Sequence, residues 1–161
     1  VVPASDIKGL GPFSRLPTDV VEVLAAEAVE RVLEAGALVV RQHDLAETIF
    51  VLRSGRVEFL IAVEGTGDLL VGATAEAGAL IGWSVVREPH RYTSTVRCSG
   101  PCRLLAVPRA ALERAMSRDP RVAVAILGEI AAALACRLDD ARDALGRRRP
   151  GGVDDDGAQH A

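Results

Sequence analysis

The stretch Gly78-Ala-Leu-Ile-Gly-Trp-Ser84, with Arg91-Tyr-Thr-Ser-Thr-Val-Arg97 beginning nine residues beyond Gly82, decides how this chain folds. A turn of small residues opens into the start of a short helix, and a hydroxyl-rich strand follows. Free backbone N–H groups at a helix start, beside Ser and Thr hydroxyls and an arginine, suit a phosphate or a carboxylate. Gly82, Trp83, Ser84, Arg91, Tyr92, Thr93 and Ser94 are the ligand-binding candidates there.

Around this stretch the hydrophobic period is two. Apolar runs recur at 29–33, 37–41, 48–53, 57–63, 69–74, 93–98 and 103–107. Each is bounded by turn residues: Gly36, His43-Asp44, Ser54-Gly55, Gly65-Thr-Gly67-Asp68, Gly78 and Ser99-Gly-Pro101. Short, evenly spaced strands with such punctuation form a sandwich, barrel or roll. Phe50, Leu52, Val57 and Phe59 alternate onto one core face across a tight turn, and Gly55 fits a positive φ there. Glu64-Gly-Thr-Gly-Asp68 reads as an exposed hairpin tip.

Helical segments flank this β region. Residues 1–17 form an aperiodic lead-in, and Thr18-Asp19 is the cap expected for a helix reaching about Glu27. Beyond Val107 the period lengthens. Pro108 suits a first helical position, with Leu112, Ala115 and Met116 on one face. Asp119-Pro120 then opens a long helix over about 120–145, Asp as cap and Pro at the first position.

Along that helix Val124, Leu127, Ala131, Leu134, Leu138, Ala141 and Leu145 alternate at spacings of three and four, a heptad seam. A second strip, Ala123, Ile126, Ile130 and Ala133, lies beside it. Two apolar strips imply two partners: the domain's own roll, and most simply the same helix of a second chain in a homodimer. Packing within the one chain is the alternative. The tail 146–161 is Gly-rich and charge-blocked, the composition of a disordered segment.

The chain's 161 residues suffice for one domain with a real core, and 49% hydrophobic with 25% charged residues is ordinary for a soluble protein. Only 3% are aromatic, so Val, Leu, Ile and Ala must build the core. A net charge of −3 argues against a general nucleic-acid binder. No apolar run approaches a membrane span, and the first residues lack a signal-peptide layout, which makes the cytoplasm the expected compartment. Cys98, Cys102 and Cys136 lack metal-ligand spacing; they read as core thiols, with a Cys98–Cys102 bridge across a turn as the alternative. No metal cluster and no catalytic arrangement stands out. Glu47 and Glu58 lack partners for acid–base work, and Asp139-Asp140 diverge by about 100° on a helix.

The whole order resembles the cyclic-nucleotide-binding domain of the catabolite-activator type (Crp/Fnr-like). It runs from a helix to a β-roll with Ser54-Gly-Arg-Val57, then a glycine-led cassette and two closing helices. Supporting matches over about residues 12–145 are Pro12-Phe13-x-x-Leu16, Ala35-Gly36, Asp44-x-Ala46-Glu47, Gly82 and Ser94-Thr-Val-Arg97. The resemblance implies a mainly β fold, a double-stranded β-roll or jelly-roll with an N-terminal helix and a long C-terminal dimerisation helix. The domain then spans 18–145.

The resemblance also implies a cyclic nucleotide, cAMP or cGMP, as ligand. The departures bear on this. After Gly82, where the family has Glu for the sugar hydroxyl, stands Trp83; Tyr92 replaces the Arg that pairs the phosphate, and Thr93 keeps the family's hydroxyl. Losing that Arg costs roughly 2–5 kcal/mol, about 30- to several-thousand-fold in affinity. Arg91, one position off, and Arg137, on the long helix, are the candidate substitutes; solvated charge is the plain alternative for both. Trp83 is either a platform for a planar ligand or a plug in the nucleotide's place.

Family transcription factors continue into a helix-turn-helix after the dimer helix, and only the polar tail follows here, so direct DNA reading is not expected. The expected function is a non-catalytic, stand-alone sensor that binds a small ligand and signals through its dimer helix to a partner protein. A ligand-free dimeric interaction scaffold with a degenerate pocket is the alternative.

Overall fold

The computed structural model describes residues 2–147; the side chains of residues 12 and 144–147 fall outside the description, Leu145 of the seam among them, as do residues 148–161 of the tail. Eight strands form two antiparallel four-stranded sheets. They are β1 (Val29–Leu33), β2 (Leu38–Val40), β3 (Thr48–Ser54), β4 (Val57–Val63), β5 (Gly67–Thr74), β6 (Leu80–Ile81), β7 (Thr95–Cys98) and β8 (Cys102–Pro108). One sheet runs β1-β8-β3-β6 and the other β2-β7-β4-β5. The pairs β1–β8, β2–β7, β3–β6 and β4–β5 nest inside one another, which is the strand arrangement of a jelly-roll.

Alternation explains which sheet faces meet. Phe50, Leu52, Val57 and Phe59 are all buried, as their spacing predicts, together with Ile49, Ile81, Leu104 and Leu105. Each fully buried aliphatic side chain contributes about 1.5–3 kcal/mol of burial free energy. The β3–β4 turn closes on Gly55 at φ 101°, where an added Cβ would lie 2.5 Å from the Pro101 carbonyl oxygen. Glu64 to Gly67 form the exposed tip of the β4–β5 hairpin. Within that hairpin Phe59 faces Gly72 and Leu60 faces Leu70, so Val71 is an extra, bulged residue.

The helices cover the roll's ends. The lead-in is more structured than its pattern suggests: α1 (Ala4–Lys8) and a 3-10 helix (Gly11–Arg15) bring Ile7, Phe13 and Leu16 into the core. Five-residue elements are too short to display a period, which is why the sequence hid them. Helix α2 (Thr18–Glu27) has its predicted extent, but its cap differs. Pro17 precedes the helix, and the Thr18 hydroxyl accepts a hydrogen bond from Lys8 Nζ at 2.6 Å rather than capping. Pro108 ends β8 and precedes α3 (Arg109–Arg118).

Helix α4 (Pro120–Arg147) begins as its sequence dictates: Asp119 Oδ1 accepts the Arg121 backbone N–H at 2.9 Å. Its inner strip is buried through Val122, Ile126 and Ile130, with Ala133 half-buried. Its other strip stays exposed: Val124, Leu127, Ala131, Leu134, Leu138 and Ala141. No helix among the described residues is long and apolar enough to cross a membrane.

Candidate functional site

Gly82 takes a left-handed conformation, φ 83° and ψ 32°, immediately before a 3-10 helix of Trp83–Val86. Any side chain there would be strained. An added Cβ would stand 3.0 Å from both the Thr48 carbonyl oxygen and the Tyr92 ring. The glycine thus lets the cassette lie directly on β3 and on Tyr92. Thr93 and Ser94 follow as the chain approaches β7, and Arg137 reaches down from α4.

The structure brings Gly82, Trp83, Ser84, Tyr92, Thr93, Ser94 and Arg137 around one cleft, together with Phe59 and Val96. The space they enclose is only about 10 Å³, room for about one water. Tyr92 is 7% exposed, and its hydroxyl donates to the Thr48 carbonyl oxygen at 2.8 Å. The Tyr92 hydroxyl oxygen in turn accepts the Thr48 N–H at 3.3 Å, so the phenol is bound to β3 rather than turned to a ligand. Burial pushes its pKa above the ordinary tyrosine value of 10.0.

Arg91 is a correction to the expected site. It is exposed and donates to the His43 carbonyl oxygen at 2.7 Å, tying two loops together on the outside of the roll. Its isolated bridge with Leu45 alternates it away from the side on which Tyr92 is buried. Arg97 is also spoken for, by Glu58 across the β4–β7 pair at 2.8 Å.

Arg137 is different. Its guanidinium stacks 3.6 Å above the centroid of the Phe59 ring, a cation–π contact. Among the described residues it makes no ion pair. Desolvation lowers its pKa from the usual arginine value, the direction expected of a cation withdrawn from water without a counter-charge.

Arg137 also borders a second, larger cavity of about 330 Å³ between the β5–β6 connection and α4. Phe59 and Arg137 are shared by both spaces. Glu76, Glu129, Cys136 and Asp140 line the larger one and escaped sequence reasoning. The available signal was the spacing of Glu129, Ala133, Cys136 and Asp140, a third face of α4 beside the two apolar strips. Among the described residues no three His, Cys, Asp or Glu side chains converge as a metal-ligand set.

The three cysteines are free in this structure. Cys98 and Cys102 are buried, and burial together with the neighbouring Cys102 thiol pushes the Cys98 pKa up to about 12. Cys136 is exposed.

Comparison with solved structures finds the same fold widely. A Geobacter metallireducens GS-15 protein assigned to cyclic nucleotide binding matches at TM-score 0.75 with 21% identity, over 86% of this chain and 99% of its own. The sensor domain of the transcriptional regulator DNR from Pseudomonas aeruginosa matches at 0.70 with 21% identity, over 84% and 90%. The c-di-GMP-responsive global regulator CLP from Xanthomonas campestris matches at 0.69 with 21% identity, over 81% of this chain and 64% of its own. No curated protein sequence matches significantly. The sequence model of the cyclic nucleotide-binding domain matches residues 30–119, from β1 through α3. The chain belongs to the cyclic nucleotide-binding domain family.

Proposed function

We propose that this chain is a cytoplasmic, non-catalytic regulatory module that senses a small ligand where the roll meets α4. In this reading it works as a homodimer through α4 and passes the ligand's presence to a partner protein. One observation carries the ligand half: Arg137, a desolvated cation without an ion-pair partner among the described residues, joins α4 to Phe59 of the roll. A ligand touching both shifts the angle between them only as far as its affinities for the two arrangements differ.

The dimer half rests on the exposed seam, where Val124, Leu127, Leu134 and Leu138 are 73%, 46%, 39% and 51% exposed. Sedimentation velocity tests it. The wild-type chain should sediment as a dimer, and Leu127→Asp with Leu134→Asp as a monomer with unchanged circular dichroism. A wild-type monomer at tens of micromolar would remove this half.

The filled cassette favours a second reading, a dimeric interaction scaffold that needs no ligand. With about 10 Å³ free beneath Gly82, a phosphate has no seat there without rearrangement. A melting temperature unmoved by every metabolite tried, with the dimer intact, would favour the scaffold.

A further inference from the structure

We propose that Cys98 and Cys102 are a redox pair: the disulfide form of a small thiol converts them to an intrachain disulfide, and the thiol form returns them. The bridge fastens the two sheets together where the chain crosses from one to the other. It needs neither a bound ligand nor a second chain.

Topology puts the pair at that crossing. Strand β7 ends on Cys98 and belongs to the sheet β2-β7-β4-β5, while β8 begins on Cys102 and belongs to β1-β8-β3-β6. Ser99-Gly100-Pro101 alone lies between them. Both side chains are buried, Cys98 at 0% and Cys102 at 1% exposure. They converge on the start of β4: Cys98 pairs with Val57, and Cys102 Sγ lies 3.3 Å from the Arg56 carbonyl oxygen. Gly55 packs close against Cys102, since a Cβ added there would come within 2.7 Å of Cys102 Sγ. Burial first, and then a hydrogen bond and charge from the Cys102 thiol, raise the Cys98 pKa, so the two sulfurs lie within reach of each other.

The hydrogen bonding allows both thiol protons to leave. Cys102 Sγ–H donates to the Arg56 and Gly100 carbonyl oxygens, at 3.3 and 3.4 Å. With that donor gone, Arg56 still accepts from the Ser99 N–H at 2.9 Å and the Ser99 Oγ–H at 3.1 Å. Gly100 is half-exposed, and water replaces the thiol there. Neither acceptor is orphaned.

The exchange needs no reactant beyond the small disulfide. One cysteine thiolate attacks a sulfur of the oxidant, forming a mixed disulfide and releasing one small thiol. The other cysteine attacks the protein sulfur of that mixed disulfide, closing the Cys98–Cys102 bond and releasing the second small thiol. Two cysteines are oxidised, one small disulfide is reduced, and the two cysteine protons end on the released thiols. Cys98, with its pKa pushed up to about 12, keeps its proton at neutral pH. Burial therefore makes exchange wait for the turn to open, while the closeness of the sulfurs sets where it ends.

The test uses the full chain carrying Cys136→Ser, which leaves Cys98 and Cys102 as its thiols. Reduced and oxidised chains are refolded into glutathione buffers of graded composition until both reach the same end point, and the series is repeated in urea. Maleimide labelling with intact mass counts the remaining thiols. The folded chain should become unlabelled, two hydrogens lighter and free of glutathione. It should do so at a disulfide-to-thiol ratio at least about tenfold lower than the urea-unfolded chain requires. By linkage the same factor appears in stability, so the oxidised chain should unfold at higher urea than the reduced one.

A bridge that forms no more readily in the folded chain than in urea overturns the proposal, because the fold then contributes nothing to it. So does a folded chain that ends as a glutathione adduct, or one that keeps both thiols where the unfolded chain is oxidised. Should Cys136→Ser fold poorly, the wild-type chain alkylated in its native state serves instead, since Cys136 is exposed while the pair is buried.

Discussion

Tyr92 occupies the position where the resembling family places its phosphate-pairing arginine, and its hydroxyl is bonded to both backbone groups of Thr48. The side chain therefore serves as a brace between the cassette and β3. It is the chain's single tyrosine, so ultraviolet titration reads it alone. Its folded pKa is raised, first by burial. Stability from the neutral phenol is thus fully present below the unfolded value of about 10 and is lost as pH rises through the folded value. The expected curve has its tyrosinate midpoint above the ordinary 10.0, with ionisation accompanied by loss of native circular dichroism. Reversible ionisation at the ordinary value in the folded protein would refute the brace. Sequence alone exposes the missing arginine at position 92, since position and type are both written there. It does not expose the partner, because Thr48 lies 44 residues away and meets Tyr92 only once β3 is folded.

Among the elements, the hairpins are the most legible. The β3–β4 turn shows why: the alternation of Phe50, Leu52, Val57 and Phe59 fixes the register, and a positive φ is needed at Gly55. Gly55→Ala should cost more than about 2 kcal/mol, combining backbone strain with a Cβ driven into the Pro101 carbonyl and Cys102 Sγ. Urea unfolding measures this, and a midpoint within error of wild type would contradict the geometry. Strand β6 was not legible. Two residues, Leu80-Ile81, carry no period, and their pairing with Phe50 and Val51 is purely long-range. Helix α4 was legible as two strips, one of which lies buried against the roll. Of its third face only Arg137 was legible, because Glu129, Cys136 and Asp140 look like ordinary solvated surface until β5 is opposite them.

Across the whole molecule, ion pairs bind the least periodic segment to the most regular one. Arg53 of β3 bonds Asp6 of α1 at 3.1 Å and Glu30 of β1 at 2.9 Å, and Glu30 also bonds Arg103 of β8 at 3.0 Å. The Glu30 carboxyl is held below its ordinary 4.5, first by its hydrogen bond from Arg103. A depressed folded pKa stabilises above the unfolded value, and the contribution disappears as pH falls through the folded one. Glu30→Gln should therefore lower the urea midpoint at pH 7 and converge on wild type below about pH 3. An equal gap at both pH values would exclude this origin.

Gly11 and Gly78 meet backbone to backbone. A methyl group on Gly11 would sit 2.4 Å from the Gly78 carbonyl oxygen, and one on Gly78 would sit 2.8 Å from the Gly11 nitrogen. Both glycines also border the α4 cavity. The leading segment is thus one wall of that chamber. Trimming the chain to its recognisable pattern, by starting an expression clone at Thr18, would breach the chamber before any ligand was tried. The part that looks most dispensable on paper is held to the narrowest clearance of any glycine in the described fold.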